Sequence, residues 1–221
     1  MSIARVHDLQ PSSGCPLCPR LADFRTANRA AYPDWHNAPV PPFAAAAPAT
    51  EVRLLIVGLA PGLRGANRTG RPFTGDYAGD LLYASLVKYG LANGAYAGRA
   101  DDGLCLVGCE ITNAVRCVPP ENKPTTSEIA TCRPFLAAHI ALRPALRVIL
   151  ALGTIAHGSV LAALGQRKSV WPFAHGALHR LPGGPILADS YHCSRYNTNT
   201  GRLTEPMFHA VFEAMRPILA D

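Results

Sequence analysis

The sequence predicts an α/β fold: a single domain whose central four-stranded parallel sheet is flanked by helices on both faces and preceded by a cysteine-bearing segment. Three observations carry this. Four apolar runs, VRLLIVGLA (52–60), VGCEITNAV (107–115), LRVILALG (146–153) and GPILADSYH (184–192), are continuous rather than alternating, the pattern of strands buried on both faces. The first three are each followed by a loop and a helical pattern, as crossovers between parallel strands require. With 221 residues, 48% of them hydrophobic, the chain can bury a full core as one unit.

Taken in order, CPLCPRLADFRTANRAAY (15–32) reads as a short helix behind a C-x-x-C pair, and APVPPFAAAAPAT (38–50) as an extended Pro/Ala linker. Residues 1–50 are thus an N-terminal segment and 51–221 the α/β core of one domain. The helical patterns cover 77–90, 126–143, 154–164 and 205–219. TTSEIATC opens the second of these with a Ser/Thr cap and Glu128 in the first turn. The most apolar stretch, VILALGTIAHGSVLAALG, is broken by Gly153, His157 and Gly158; it reads as a strand running into a helix, not as a membrane span. There is no charged-then-apolar pattern at the N-terminus, which predicts a cytoplasmic protein.

The net charge is +6, and of 21 basic residues only Lys88, Lys123 and Lys168 are lysine. The planar guanidinium suits phosphate oxygens, so nucleic acid is the partner this charge suggests. A general arginine bias explains the same count. The seven cysteines fit metal ligands or buried thiols better than disulfides. Cys15 and Cys18 form a tight pair, while Cys117 and Cys132 are separated by fourteen residues. Four such thiolates suit a 4Fe–4S cluster or a structural zinc, and four ordinary buried thiols is the plainer alternative. Cys105 and Cys109 read as core thiols.

In open α/β sheets ligands bind beyond the carboxyl ends of the strands. Here the first strand delivers GLAPGLRGANRTGRPFTGD (58–76), the second Asn113 and the last His192. The loop matches neither dinucleotide nor P-loop spacing, and its single carboxylate is Asp76.

That loop, together with TNAVRCVPPENKP and HCSRYNTNTGRLT and the preceding cysteine pair, resembles the type-5 uracil-DNA glycosylases from Cys15 to about Thr204. The resemblance implies a monofunctional enzyme that excises uracil and other deaminated bases from DNA; a monomer, nucleoid-associated when bound to DNA, is expected. It also implies a structural 4Fe–4S cluster on Cys15, Cys18, Cys117 and Cys132. The related type-4 enzymes carry an acidic residue where this chain has Leu59. Many superfamily members have an aspartate at the position of Ala60, and the last motif more often reads His-Pro-Ser than His-Cys-Ser. Cys193 is therefore expected to leave the backbone before Ser194 freer.

Breaking the bond between base and deoxyribose puts negative charge on the base and positive charge on the sugar, after the base has left the stack. On the family pattern His192 is the donor to the base oxygen, Asn113 the reader of the base edge and Phe73 its stacking partner. Gly58 and Gly62 allow close approach; with no acid at Leu59 or Ala60, Asp76 is the loop carboxylate assigned to face the sugar and hold water. Read without the family, His192 and Asn113 are strand-end caps, Phe73 is core and Asp76 is an N-cap. Relatives strict for uracil place a tyrosine at the Gly62 position, so glycine there implies a broad range of bases, and Gly62→Tyr is expected to narrow it. Arg68, Arg71, Arg195, Tyr196 and Arg202 are the candidate DNA contacts, a solvated loop being the alternative for the last three. A non-catalytic iron–sulfur module that senses damaged DNA is the alternative function.

Overall fold

The computed structural model describes residues 10–220; the reading of the first residues as lacking a signal pattern lies outside them. The strands are β1 (Leu54–Gly58), β2 (Ala92–Asn93), β3 (Cys105–Leu106), β4 (Cys109–Asn113), β5 (Val148–Leu152), β6 (Leu178–Arg180) and β7 (Ile186–Ser190). The helices are α1 (Pro19–Ala31), α2 (Ala66–Thr69), α3 (Tyr77–Lys88), α4 (Thr126–Ala141), α5 (Thr154–Ala163), α6 (Arg195–Asn199) and α7 (Glu205–Ala220). All four predicted strands form, parallel, in the order β4-β1-β5-β7. The expected four-stranded sheet gains a fifth member, because the short β6 pairs antiparallel with β7 at the edge. Three residues with no apolar face gave no strand signal.

Every residue of β1, β4 and β5 is buried because alternate side chains feed opposite cores. Leu54 and Ile56 pack with Leu82, Tyr83 and Leu86 of α3 and with Phe208, Val211 and Phe212 of α7. Leu55 and Val57 point the other way, against Leu136 and Ile140 of α4 and Val160 and Leu161 of α5. Each such fully buried Leu or Ile contributes about 1.5–3 kcal/mol, so the two-sided burial accounts for the continuous apolar runs.

The predicted cap of α4 is a complete capping box: Thr125 accepts from the Glu128 amide and Glu128 accepts from the Thr125 amide. Glu128 also accepts two hydrogen bonds from Arg20, at 2.7 and 2.8 Å, which fastens α1 to α4. The 38–50 linker runs along the core, bridging β4 at Phe43 and β3 at Ala45, and is extended until it ends in a 3-10 turn at Ala49–Glu51. Cys109 is buried as expected, whereas Cys105 is exposed: in the two-residue β3 it is Leu106 that faces the core. No helix among the described residues is long and apolar enough to cross a membrane.

Candidate active site

Gly58 and Asn113 close their strands as register partners, and the chain reaches His192 two residues beyond β7. Asn113 and His192 open onto one cavity of about 630 Å³, which Phe73, Asp76 and Gly62 also line; Gly58 is not part of its wall and lies behind Asn113 and Phe73. The loop after β1, the end of β4 and the end of β7 therefore converge as the strand order requires. The carboxyl end of β7 is braced by residues the sequence reading missed. Asp189, fully buried, lies 2.7 Å from His157 Nδ1 of α5 and 2.9 Å from His179 Nε2 of β6. Such a network is scattered over three elements and has no local signature.

Asn113 is almost wholly buried, and its Oδ1 occupies the space that a side chain at Gly58 would need. The Phe73 ring closes the same space, so only glycine fits at the end of β1. Phe73 has φ 52°, a left-handed conformation that a bulky residue adopts only where its surroundings impose it. Its carbonyl accepts from Tyr96 Oη at 3.2 Å, and its ring centroid lies 5.7 Å from the His192 ring.

Asp76 stands at the N-cap position of α3, yet its side chain makes no capping hydrogen bond and Oδ1 is buried without a partner among the described residues. The N-cap reading accounts for its place in the chain, and the first-turn amides lie close enough to favour its charge without completing a capping bond. Burial raises its pKa; the Gly79 and Ala78 amides pull it back, and Asp80 adds to the rise. It is the one carboxylate lining the cavity among the described residues. The loop glycines now have a reason: a Cβ at Gly65 would lie 2.9 Å from Asp76 Cγ, and one at Gly62 would lie 3.1 Å from Oδ2.

His192 has its pKa pulled down to about 4 by burial, so the ring is neutral at physiological pH. Its carbonyl accepts from Asn197 Nδ2 at 2.8 Å. Cys193 does not loosen this segment, as the His-Cys-Ser departure had suggested. The thiol is buried and donates to the Ala78 carbonyl at 3.3 Å, joining the His192 loop to the first turn of α3. Asn197 supports the loop locally, five residues on, whereas the role of Cys193 is revealed only by its contact across the fold.

The rim carries Arg64 and Arg195, with the Arg195 guanidinium 5.3 Å over the Tyr77 ring. Tyr196 is 71% exposed. Arg202 lies over the Tyr191 ring, and Arg68 is exposed with Nε donating to the Arg64 carbonyl. Arg71 is a correction. It is buried, binds Asp102 through two hydrogen bonds of 2.7 and 2.8 Å, and lies over Phe43, Tyr83 and Tyr96. A guanidinium already paired and desolvated is not offered to phosphate; losing one partner of such a pair costs about 3–5 kcal/mol of stability. Arg64, from the same loop, takes the place at the cavity mouth.

Cys15, Cys18, Cys117 and Cys132 surround a second, small cavity, with Leu21, Val115 and Phe135 as apolar walls. All four are free thiols. Two buried arginines adjoin them. Arg25 donates through Nη1 to Cys117 Sγ at 2.7 Å, and its Nε has no partner. Arg116 is 1% exposed with neither terminal nitrogen partnered among the described residues. Neither buried guanidinium group has a carboxylate partner among the described residues, which calls for an anion, and four thiolates around a dipositive core form one. The donor set therefore fits a tetrathiolate-bound metal centre.

A parallel sheet whose strand ends and loops gather a carboxylate, an amide and an imidazole, with four cysteines grouped nearby, defines a class. The uracil DNA glycosylase superfamily model matches residues 46–216, and the chain belongs to that superfamily. Among relatives, it is 46% identical to a type-5 uracil-DNA glycosylase of Thermus thermophilus, over 94% of this chain and 95% of the relative. A type-5 enzyme of Pyrobaculum aerophilum is 37% identical over 100% of this chain and 98% of its own. A type-4 uracil-DNA glycosylase of the same organism is 36% identical, over only 52% of this chain and 50% of its own.

Proposed function

We propose that the chain hydrolyses the N-glycosidic bond of uracil and other deaminated or damaged bases in DNA, leaving an abasic site. The observation that carries this is the meeting of Asp76, Asn113 and His192 around one cavity in the superfamily fold. The C1′–N1 bond breaks with its electron pair leaving on the base. The neutral His192 N–H meets the charge developing at O2, Asn113 pairs with the base edge, and Phe73 lies against the ring. Asp76 stabilises the cationic sugar and orients a water whose oxygen bonds to C1′ while its proton passes to the carboxylate. No lysine lines the cavity among the described residues, which supports a monofunctional reaction without an amine-linked intermediate. Arg64, Arg68, Arg195, Tyr196 and Arg202 supply cations and an aromatic to the flanking strand, and we place the enzyme in the cytoplasm as a monomer on DNA.

Base range rests on the open floor at Gly62. A tyrosine there would crowd Asp76 as well as the base, since its Cβ alone falls 3.1 Å from Oδ2. Gly62→Ala is the control that isolates the first effect. Purified protein is given strands bearing uracil, 5-hydroxymethyluracil, ethenocytosine or hypoxanthine, and alkali then cleaves at any abasic site. Excision of uracil and at least one bulkier base is expected, with Gly62→Tyr losing the bulkier base relative to Gly62→Ala. No cleavage on any strand would instead favour the non-catalytic damage sensor.

The acid limb has a definite sign. As pH falls, Asp76 takes up a proton at a pH above the usual carboxylate value, and His192 is protonated only near pH 4. His192 should therefore add no inflection in the usual histidine range, about pH 6.5, and the acid limb should follow protonation of the Asp76 carboxyl, above the usual carboxylate value. An inflection near that histidine value, absent from His192→Gln, would show that the imidazole works in its charged form.

We further propose that Cys15, Cys18, Cys117 and Cys132 hold a 4Fe–4S cluster, zinc being the alternative. Bound there, it supplies a four-point cross-link between the N-terminal segment and the α4 region, apart from the reacting atoms.

A further inference from the structure

We infer that Arg25 and Arg116 are the built-in countercharges of the cysteine centre, and that they set how firmly and at what potential it holds its cluster. The inference rests on the cluster assignment above. Four thiolates around a dipositive core leave a dianion in a pocket walled by Leu21, Val115 and Phe135. The two guanidinium groups neutralise it.

Arg25 is 2% exposed and Arg116 1% exposed, and neither has a carboxylate hydrogen-bonded to it among the described residues. Arg25 bridges the two halves of the centre. Its Nη1 donates to Cys117 Sγ at 2.7 Å and its Nη2 to the Cys15 carbonyl at 2.7 Å. Arg116 adds a backbone N–H to Cys132 Sγ at 3.4 Å. The charged groups around its side chain are Cys132 and Cys117 together with Arg143 and Glu110. Glu110 is already engaged by Arg143 at 2.8 Å and lies 2.9 Å from His139, which leaves the thiolates as the anion for Arg116.

Such an arrangement has an electrical consequence. Adding one electron to the cluster increases the site's negative charge and removing one decreases it. Two buried cations with N–H···S bonds favour the more electron-rich form of either couple. The arginines thus raise the potential and protect the resting cluster from oxidation.

The test uses the cluster-loaded full chain. Midpoint potential is read by titration of the visible absorption, and cluster lifetime from bleaching in ferricyanide, with iron and sulfide content measured alongside. Arg25→Gln keeps an N–H donor but removes the charge. It is expected to shift the midpoint to a more negative potential and to bleach severalfold faster, with Arg25→Lys recovering most of both. A folded Arg25→Gln protein that loads no cluster, while Arg25→Lys loads it, also supports the inference. An Arg25→Gln protein that loads fully, with unchanged potential and lifetime, overturns it while leaving the cluster in place. A colourless wild-type protein without iron and sulfide overturns the cluster assignment itself, and the inference with it.

Discussion

Asp76→Asn is expected to slow single-turnover excision of uracil from duplex DNA by about 10²- to 10⁴-fold, a loss of about 3–5 kcal/mol of transition-state stabilisation. The amide has the same shape but cannot balance the cationic sugar or take a proton from water. Folding should not suffer. The carboxylate makes no capping hydrogen bond, and its Oδ1 is buried without a partner, so removing the charge relieves desolvation. The melting temperature should therefore be unchanged or higher, and affinity for a uracil-containing duplex should persist because the cationic rim is untouched. Wild-type excision by this variant would remove Asp76 from the reaction. Lost excision with a lowered melting temperature would make it a structural cap instead.

Gly58→Ala is the second large effect, expected to reduce excision about 10²-fold. The new methyl would overlap Asn113 Oδ1 and fall 2.6 Å from Phe73 Cζ, so either the base reader or the stacking ring must move. Misplacement on that scale spoils the geometry of the bound base, and overpacking at a strand end costs about 1–3 kcal/mol of stability. Gly184→Ala is the control: a Cβ there meets nothing within 4 Å. If Gly58→Ala excises uracil at the rate of Gly184→Ala, the contact between Gly58, Asn113 and Phe73 does not hold the site.

The sheet and its helices were legible because their signal is local. Continuous apolar runs identify strands covered on both faces, as Leu54 to Val57 show by feeding alternate side chains to two cores. TTSEIATC carried its own cap, and it formed. The edge strand at Leu178–Arg180 went unseen because it is short and lacks an apolar face.

The chemistry-bearing residues were legible through order along the chain. Strand ends in a parallel sheet must share one edge, so the loop of Asp76, the end of Asn113 and the approach to His192 were bound to meet. Which neighbour of equal type faces outward was another matter. Arg64, Arg68 and Arg71 occupy one loop with similar surroundings in sequence, yet Arg71 alone is buried, because Asp102 reaches it from thirty-one positions away. Cys193 looked like a looser joint until Ala78 supplied its acceptor from 115 positions away.

By itself, then, the sequence determined the four central strands with the longer helices around them, their parallel arrangement and the set of groups at the strand tips, since periodicity and chain order act over a few residues at a time. Only the tertiary structure decided which arginine stays in solvent, why Gly58 and Gly65 admit no side chain, and that Arg25 reaches the Cys117 thiol. Those outcomes turn on the burial of a charge or a Cβ beside a distant partner, and the cost of that burial exists only once the chain has closed around it.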